Sequence, residues 1–340
     1  MTKPSKSNSK GGRRWRRWLI LILVLFVIGV AGGAYGLFAR YISPGTLQND
    51  TQLVIVPGTG VKGIAEMLES AGIIQYPLVF RIAARVYGAE KKLKAGEYLF
   101  PANVSIRTVI QILEGGETLV RRVTIPEGLT VKQIADVLQG ADGLFETMPK
   151  ALAEGSLLPE TYHFSWGDTR REIVARMSRA MDEALAEEWK KRTPGLPLKT
   201  PAEAVVLAAI VEKETALAAE RPMVAGVFIN RLRKGMRLQS DPTVIYALSG
   251  GDGDLGRDLT RQDLKILSPY NTYQNAGLPP GPIANPGLAS IKAVLNPAST
   301  GAFYFVADGN GGHVFSKTLA EHNKNVAKWR KIRDGKKTKK

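Results

Sequence analysis

From Trp18 to Phe38 the chain carries no charged residue. About 20 apolar positions are enough to cross the hydrocarbon core of a bilayer as a helix. Arg13, Arg14, Arg16 and Arg17 precede the run, whereas only Arg40 follows it closely. By the positive-inside rule the N-terminus lies in the cytoplasm and everything after Tyr41 lies outside. Trp15, Trp18, Tyr35 and Tyr41 flank the run, where interfacial aromatics gather. A cleaved signal peptide is the competing reading, since Ala31-Gly-Gly-Ala34 offers small residues. Its apolar region is ordinarily about 7–15 residues, so the length favours a retained anchor. A buried core helix with four flanking arginines fits less well.

The net charge of +16 sits at the two ends. Residues 1–17 hold seven Lys/Arg and no acid, and residues 324–340 hold nine Lys/Arg and one Asp, which leaves +1 for the rest. A nucleic-acid-binding domain is expected to show a basic face of its own, so no nucleic-acid partner is expected. The C-terminal run reads as a solvated, disordered tail. With no cysteine, disulfides and thiol catalysis are excluded. His163, His313 and His322 show no ligand spacing, so neither a metal nor a cofactor is expected.

After a linker at 40–52, Leu53–Val56 and Lys94–Phe100 read as strands. Helices are expected over 61–71, 77–87 and 105–113. The segment Val61-Lys-Gly-Ile-Ala-Glu-Met-Leu68 recurs as Val131-Lys-Gln-Ile-Ala-Asp-Val-Leu138. Each copy follows an apolar strand and a Pro-containing turn, the mark of a duplicated unit. Such a repeat serves either as a small glycan-binding module near the membrane or as a spacer.

The chemistry-bearing block begins at Thr200. Thr200 as N-cap, Pro201 in the first turn and Glu203 three residues on spell a capping box. Leu207, Ile210, Val211 and Glu214 then share one helix face. A carboxyl there is desolvated, which raises its pKa and suits it to act as a general acid. The plainer reading, which the spacing alone favours, is that the helix emerges into solvent at Glu214. A second helix, 221–234, reads as structural. Three loop-like clusters follow, 236–244, 268–273 and 277–286, rich in Gln, Asp, Thr, Tyr, Asn and Pro. Such loops suit a ligand rich in hydroxyls and amides, or simply rigid connections. Phe303–Val306 and His313–Ser316 form a hairpin around Asp308-Gly-Asn-Gly-Gly312, and His313 there can orient substrate or serve structure. No G-x-S-x-G, P-loop or dinucleotide fingerprint is present.

Val211-Glu-Lys-Glu-Thr215, Val227-Phe-Ile-Asn-Arg-Leu232, Leu238-Gln-Ser-Asp-Pro-Thr-Val-Ile-Tyr246, Tyr270-Asn-Thr-Tyr273 and Gly277-Leu-Pro-Pro-Gly281 together carry a resemblance. Beside a single anchor, they resemble the bacterial membrane-anchored endolytic murein transglycosylase family. The resemblance is strong over about 201–323. It implies an α+β protein: a basic tail (1–17), one transmembrane helix (18–39), a LysM-like module (53–116), a connecting α/β region (117–199), a mixed α/β catalytic domain with a lysozyme-like catalytic helix (200–323), and the basic tail 324–340. It implies a lyase without cofactor, sited at the inner membrane with its catalytic domain periplasmic. That lyase cuts nascent peptidoglycan strands internally between N-acetylmuramic acid and N-acetylglucosamine. The products end in 1,6-anhydro sugars, and peptidoglycan synthases are the implied partners. The family's catalytic glutamate is the second of E-K-E-T, Glu214. Candidate substrate-binding residues are Gln239, Asp241, Thr243, Tyr270, Asn271, Thr272, Tyr273 and His313. Ser240 departs from the threonine frequent at that position. A non-enzymatic peptidoglycan-binding scaffold is the rival expectation.

Overall fold

The computed structural model describes residues 10–337; the basic stretch before Lys10 lies outside them. Helix α1 (Lys10–Ile42) contains the apolar run. Within Trp15–Ile42 the most apolar 18-residue window has mean hydropathy 2.5 and is not buried against protein, and the segment is long and apolar enough to cross a bilayer.

The described residues divide into two compact units, residues 10–120 with 165–167, and residues 121–164 with 168–337. In the first unit come β1 (Thr51–Ile55), α2 (Val61–Ser70), α3 (Pro77–Val86), β2 (Gly96–Phe100) and α4 (Ile106–Gly115). β1 and β2 pair antiparallel, with Thr51 opposite Phe100 and Ile55 opposite Gly96. Ser105 caps α4 by accepting the Thr108 N–H at 3.2 Å, and Gly116, at φ +69°, ends it in the left-handed region.

The second unit contains β3 (Val120–Thr124), α5 (Val131–Gln139), β4 (Thr161–Ser165), α6 (Arg170–Lys190), α7 (Pro201–Glu214), α8 (Arg221–Arg233), α9 (Asp241–Ser249), α10 (Leu288–Leu295), β5 (Tyr304–Ala307), β6 (His313–Ser316) and α11 (Leu319–Lys337). Among the described residues strands pair two by two, β3 with β4 and β5 with β6, so the fold is mixed α/β with helical layers around small ribbons. Thr130 and Thr169 each close a full capping box, with Gln133 and Glu172. The sequence repeat has a packing meaning: Ile64 and Leu68 of α2, and Ile134 and Leu138 of α5, occupy matching buried positions in two separate cores.

Helix α7 is the axis of the second core. Ala204 to Val211 are all buried among α6, α8 and α10. It is therefore apolar on every side rather than on one face, as a central helix must be. Its expected capping box is half formed. Thr200 Oγ1 accepts the Glu203 N–H, but the Glu203 carboxylate reaches past the cap to the Lys199 N–H. Two other expectations are corrected. The segment 236–244 is not all loop, because Pro242 in the first turn starts α9 at Asp241. The basic C-terminal segment is helical as far as Lys337, its first turn held by Thr318 and Glu321.

Candidate active site

Two carboxylates leave the last turn of α7. Glu212 enters a buried ion pair: Arg221 Nη2 donates to its Oε1 at 2.7 Å and to Glu127 Oε2 at 2.9 Å, and the Gly287 N–H donates to Oε2 at 3.0 Å. A Cβ at Gly287 would lie 1.9 Å from Glu127 Oε1, so a side chain there would push the Glu127 carboxylate aside. Glu214 has no cation bonded to it. Ser240 Oγ, fully buried, donates to Glu214 Oε1 at 2.5 Å. Burial dominates and pushes the Glu214 carboxyl up to about 7; nearby Asp241 raises it further, while the Ser240 hydrogen bond, His313 and Arg231 partly oppose the shift.

Glu214 lines a pocket of about 340 Å³ together with Arg231, Gln239, Asp241, Tyr273, Tyr304 and His322, with Leu238, Phe305 and Leu319 as apolar wall. Gln239 sits at φ +53°, a left-handed backbone that a non-glycine residue rarely adopts, and its N–H is fixed to the Thr272 carbonyl at 3.2 Å. Tyr273 donates its phenol to Asp241 Oδ1 at 2.6 Å. Burial first, then that bond, hold the phenol well above its ordinary range. Arg231 is buried, with Nε donating to the Phe303 carbonyl at 2.7 Å and Nη1 to the Leu238 carbonyl. Its guanidinium lies over the Tyr304 ring at 5.4 Å, and Tyr304 stacks on His322 at 5.2 Å. The result is one protonatable carboxyl, a carboxylate–phenol pair, a buried cation and an aromatic wall around a space the size of part of a sugar chain. Among the described residues no group of three or more His, Asp or Glu is placed to hold a metal.

Residues 53–328 match the YceG-like family. The chain is 33% identical over 306 residues to the endolytic murein transglycosylase of Bacillus subtilis (strain 168), a match covering 81% of this chain and 83% of that protein. It is 31% identical over 322 residues to the protein of the same name from Streptococcus pneumoniae (strain D39), covering 80% of this chain and 57% of that longer one. The chain belongs to the YceG-like family. A crystal structure of a YceG-like protein from Listeria monocytogenes aligns with TM-score 0.50 at 32% identity, covering 82% of this chain and 99% of that one.

On this YceG-like scaffold the expected site residues separate into groups. Glu214, Gln239, Asp241 and Tyr273 come together around the pocket. Thr243, Asn271 and Thr272 lie behind its wall, fully buried, with their polar groups engaged internally. Thr243 Oγ1 donates to the Ser240 carbonyl at 2.7 Å and lies 2.9 Å from Thr272 Oγ1, which accepts the Ser240 N–H at 3.0 Å. Asn271 Nδ2 donates to the Leu264 and Ile266 carbonyls. As placed, these three side chains position the loops rather than present a group to the pocket. Tyr270 packs on Tyr246 at 5.0 Å and does not line the pocket. His313 does not line it either; its Nδ1 is 2.7 Å from Glu220 Oε2, and its N–H donates to Oε1. Burial opposes ionisation of Glu220, but the bonds from His313 outweigh it and hold the carboxyl below its usual range.

Sequence reasoning missed Ser240, Arg231, Tyr304 and His322. Arg231 was readable only as part of a structural helix, and it is one, yet its head reaches the pocket. Ser240 stands in the sequence only as a departure from threonine; its hydroxyl, the group both residue types share, is what bonds Glu214. His322 belongs to α11, next to the segment read as a tail.

Proposed function

We propose that this chain is an endolytic lytic transglycosylase of peptidoglycan. The observation that carries the reading is Glu214: a carboxyl buried at the wall of a sugar-sized pocket, pushed up to about 7 and bonded by a hydroxyl rather than a cation. At neutral pH a large fraction of it holds a proton. The relatives named endolytic murein transglycosylase supply the substrate class.

The steps follow from one acid. Glu214 gives its proton to the glycosidic oxygen as the bond from C1 of the muramyl residue breaks, leaving an oxocarbenium-like centre at C1. The Glu214 carboxylate then takes the proton from the 6-hydroxyl of the same residue. The O6–C1 bond forms and closes a 1,6-anhydro ring with no water consumed. An ordinary glycosidase needs a second carboxyl as base or nucleophile; here the nucleophile belongs to the substrate. Asp241, held by the Tyr273 phenol, supplies negative charge in the same pocket to stabilise the positive centre. Gln239 and Tyr273 present amide and phenol groups to the sugar. His313 acts through Glu220 and Thr215 at the end of α7.

The apolar part of α1 anchors the enzyme in the bacterial inner membrane. The arginines before it support an N-terminus in the cytoplasm and a pocket in the periplasm. The strand–helix–helix–strand order of residues 51–100 supports a LysM-like module beside the anchor. Anchoring keeps the pocket near newly made polymer, so the biological role is to terminate growing strands beside the membrane synthases. The test is mass spectrometry of products after incubating the purified chain with peptidoglycan strands. Internal fragments ending in 1,6-anhydro-muramic acid are expected. Hydrolysed reducing ends, or binding with no cleavage, would overturn the mechanism.

A further inference from the structure

Helix α3 leaves an unusual face uncovered. Its buried side, Val79, Phe80, Ala83 and Ala84, packs into the first core. Next to that side runs a strip spaced i, i+4, i+8: Leu78, Ile82 and Val86, which are 60%, 38% and 72% exposed. Beyond the strip stand Arg81 and Arg85. A soluble surface rarely lines up large aliphatic side chains in this way, and such a stripe marks a contact.

The position of the stripe names the contact. α3 packs against the last turns of α1, and the two enclose an apolar groove of about 250 Å³ whose walls include Leu37, Phe38, Ile82 and Val86. Tyr41 of α1 stacks on Tyr87 at the end of α3, with ring centroids 5.3 Å apart, and the Arg40 guanidinium lies over Tyr76 at 4.8 Å. A span of about 20 residues beginning at Trp18 reaches its far interface near residue 38. α3 touches α1 at that level. A short helix with an aliphatic stripe, basic residues on its other side and tyrosines at both ends has the makeup of a helix lying in a membrane interface.

We propose that α3 is a second membrane contact. Its Leu78–Ile82–Val86 stripe is immersed at the headgroup–acyl boundary of the same bilayer that α1 crosses, and Arg81 and Arg85 face the lipid phosphates. The inference rests on α1 being a membrane span and is independent of the catalytic reading. It makes the first module a body seated on the membrane surface rather than one swinging on the linker that follows α1.

The absence of cysteine makes the test direct. Single-cysteine variants of the full chain, Leu78→Cys, Val86→Cys and, as the reference inside the bilayer, Ile28→Cys, are spin-labelled and reconstituted into vesicles of phosphatidylethanolamine and phosphatidylglycerol. Accessibility to oxygen and to a water-soluble nickel chelate is then compared. All three sites are on exposed surface, so the substitutions leave the cores intact. At positions 78 and 86 the oxygen-to-nickel ratio is expected to be several-fold above that of the free label in buffer, though lower than at position 28. A water-like ratio at position 78 or 86, with position 28 immersed, would overturn the proposal and leave the anchor standing. Water-like ratios at all three would remove the anchor and the proposal together.

Discussion

On one side of the α7 end, Glu212 meets an arginine, which it shares with Glu127, and a backbone N–H within 3.0 Å. On the other, two residues later, Glu214 meets one serine hydroxyl and a pocket. Burial raises both carboxyls. The difference is what each can do next. The Glu212 side is a closed clasp in which an arginine and a backbone N–H hold the carboxylate in place. The Glu214 side withholds the balancing cation, so its proton is retained near neutrality and can be given away. In the proposed mechanism the same sequence motif supplies a structural acid and the reactive one, separated by about 200° around the helix.

The largest effect should come from breaking the reactive side. Glu214→Gln keeps the shape and an acceptor for Ser240 but has no proton to transfer. Loss of a positioned general acid costs about 10²–10⁴ in rate, and here the same group also serves as base. Turnover measured by release of anhydro ends should therefore fall at least to the bottom of that range, while strand binding and folding persist.

Breaking the clasp should show the opposite profile. Arg221→Ala leaves Glu212, only 5% exposed at its side chain, without its cation. Removing one partner of such a pair costs about 3–5 kcal/mol, readable as a lowered denaturation midpoint. Equal loss of stability in Glu214→Gln would erase the distinction between the two sides.

Titration sharpens the comparison further. The protonated form of Glu214 is the acid, so the rate should fall as pH rises through about 7. The Ser240 hydrogen bond lowers that value. Ser240→Ala should therefore move the basic limb of kcat/KM to higher pH. Stability follows the same sign: a carboxyl raised on folding contributes stability fully present below its unfolded value of about 4.3 and lost as pH rises through about 7. Glu214→Gln should flatten that loss, by about 4 kcal/mol at most.

The smallest effect is expected at Glu154. Burial pushes this carboxyl to about 7 as well, although it accepts hydrogen bonds from the Val131 N–H and from Asn285. It does not line the pocket. Glu154→Gln keeps an acceptor for both bonds, so it should relieve part of the stability loss above neutral pH and leave the basic limb of the rate profile in place. A moved limb would assign the titration to the wrong carboxyl.

Sequence reasoning reached Glu214 by spacing and resemblance, yet the spacing argument described the wrong kind of helix. An amphipathic face predicts one apolar side; α7 is buried all round, and Glu214 is set apart by being where burial ends in a pocket. Local signals such as the Thr200 cap, Pro201 and the 303–316 hairpin are carried by adjacent residues and could be read directly. Contacts across long separations could not. Thr243 and Thr272 look like ligand-binding residues in a polar loop because composition does not show which hydroxyls face each other. Arg231 and His322 look structural or terminal because nothing near them in the chain indicates that Tyr304 will bring them to one wall.

The buried hydroxyls of Thr243 and Thr272 have a further consequence. They fix the Ser240 turn to the 268–275 loop, and Ser240 sets how firmly Glu214 holds its proton. Sequence drift in that loop can therefore retune the working pH of the enzyme without altering any group that meets the polymer. A lineage living in acid or alkaline surroundings could adjust the acid by changing residues behind the wall, leaving the wall itself untouched.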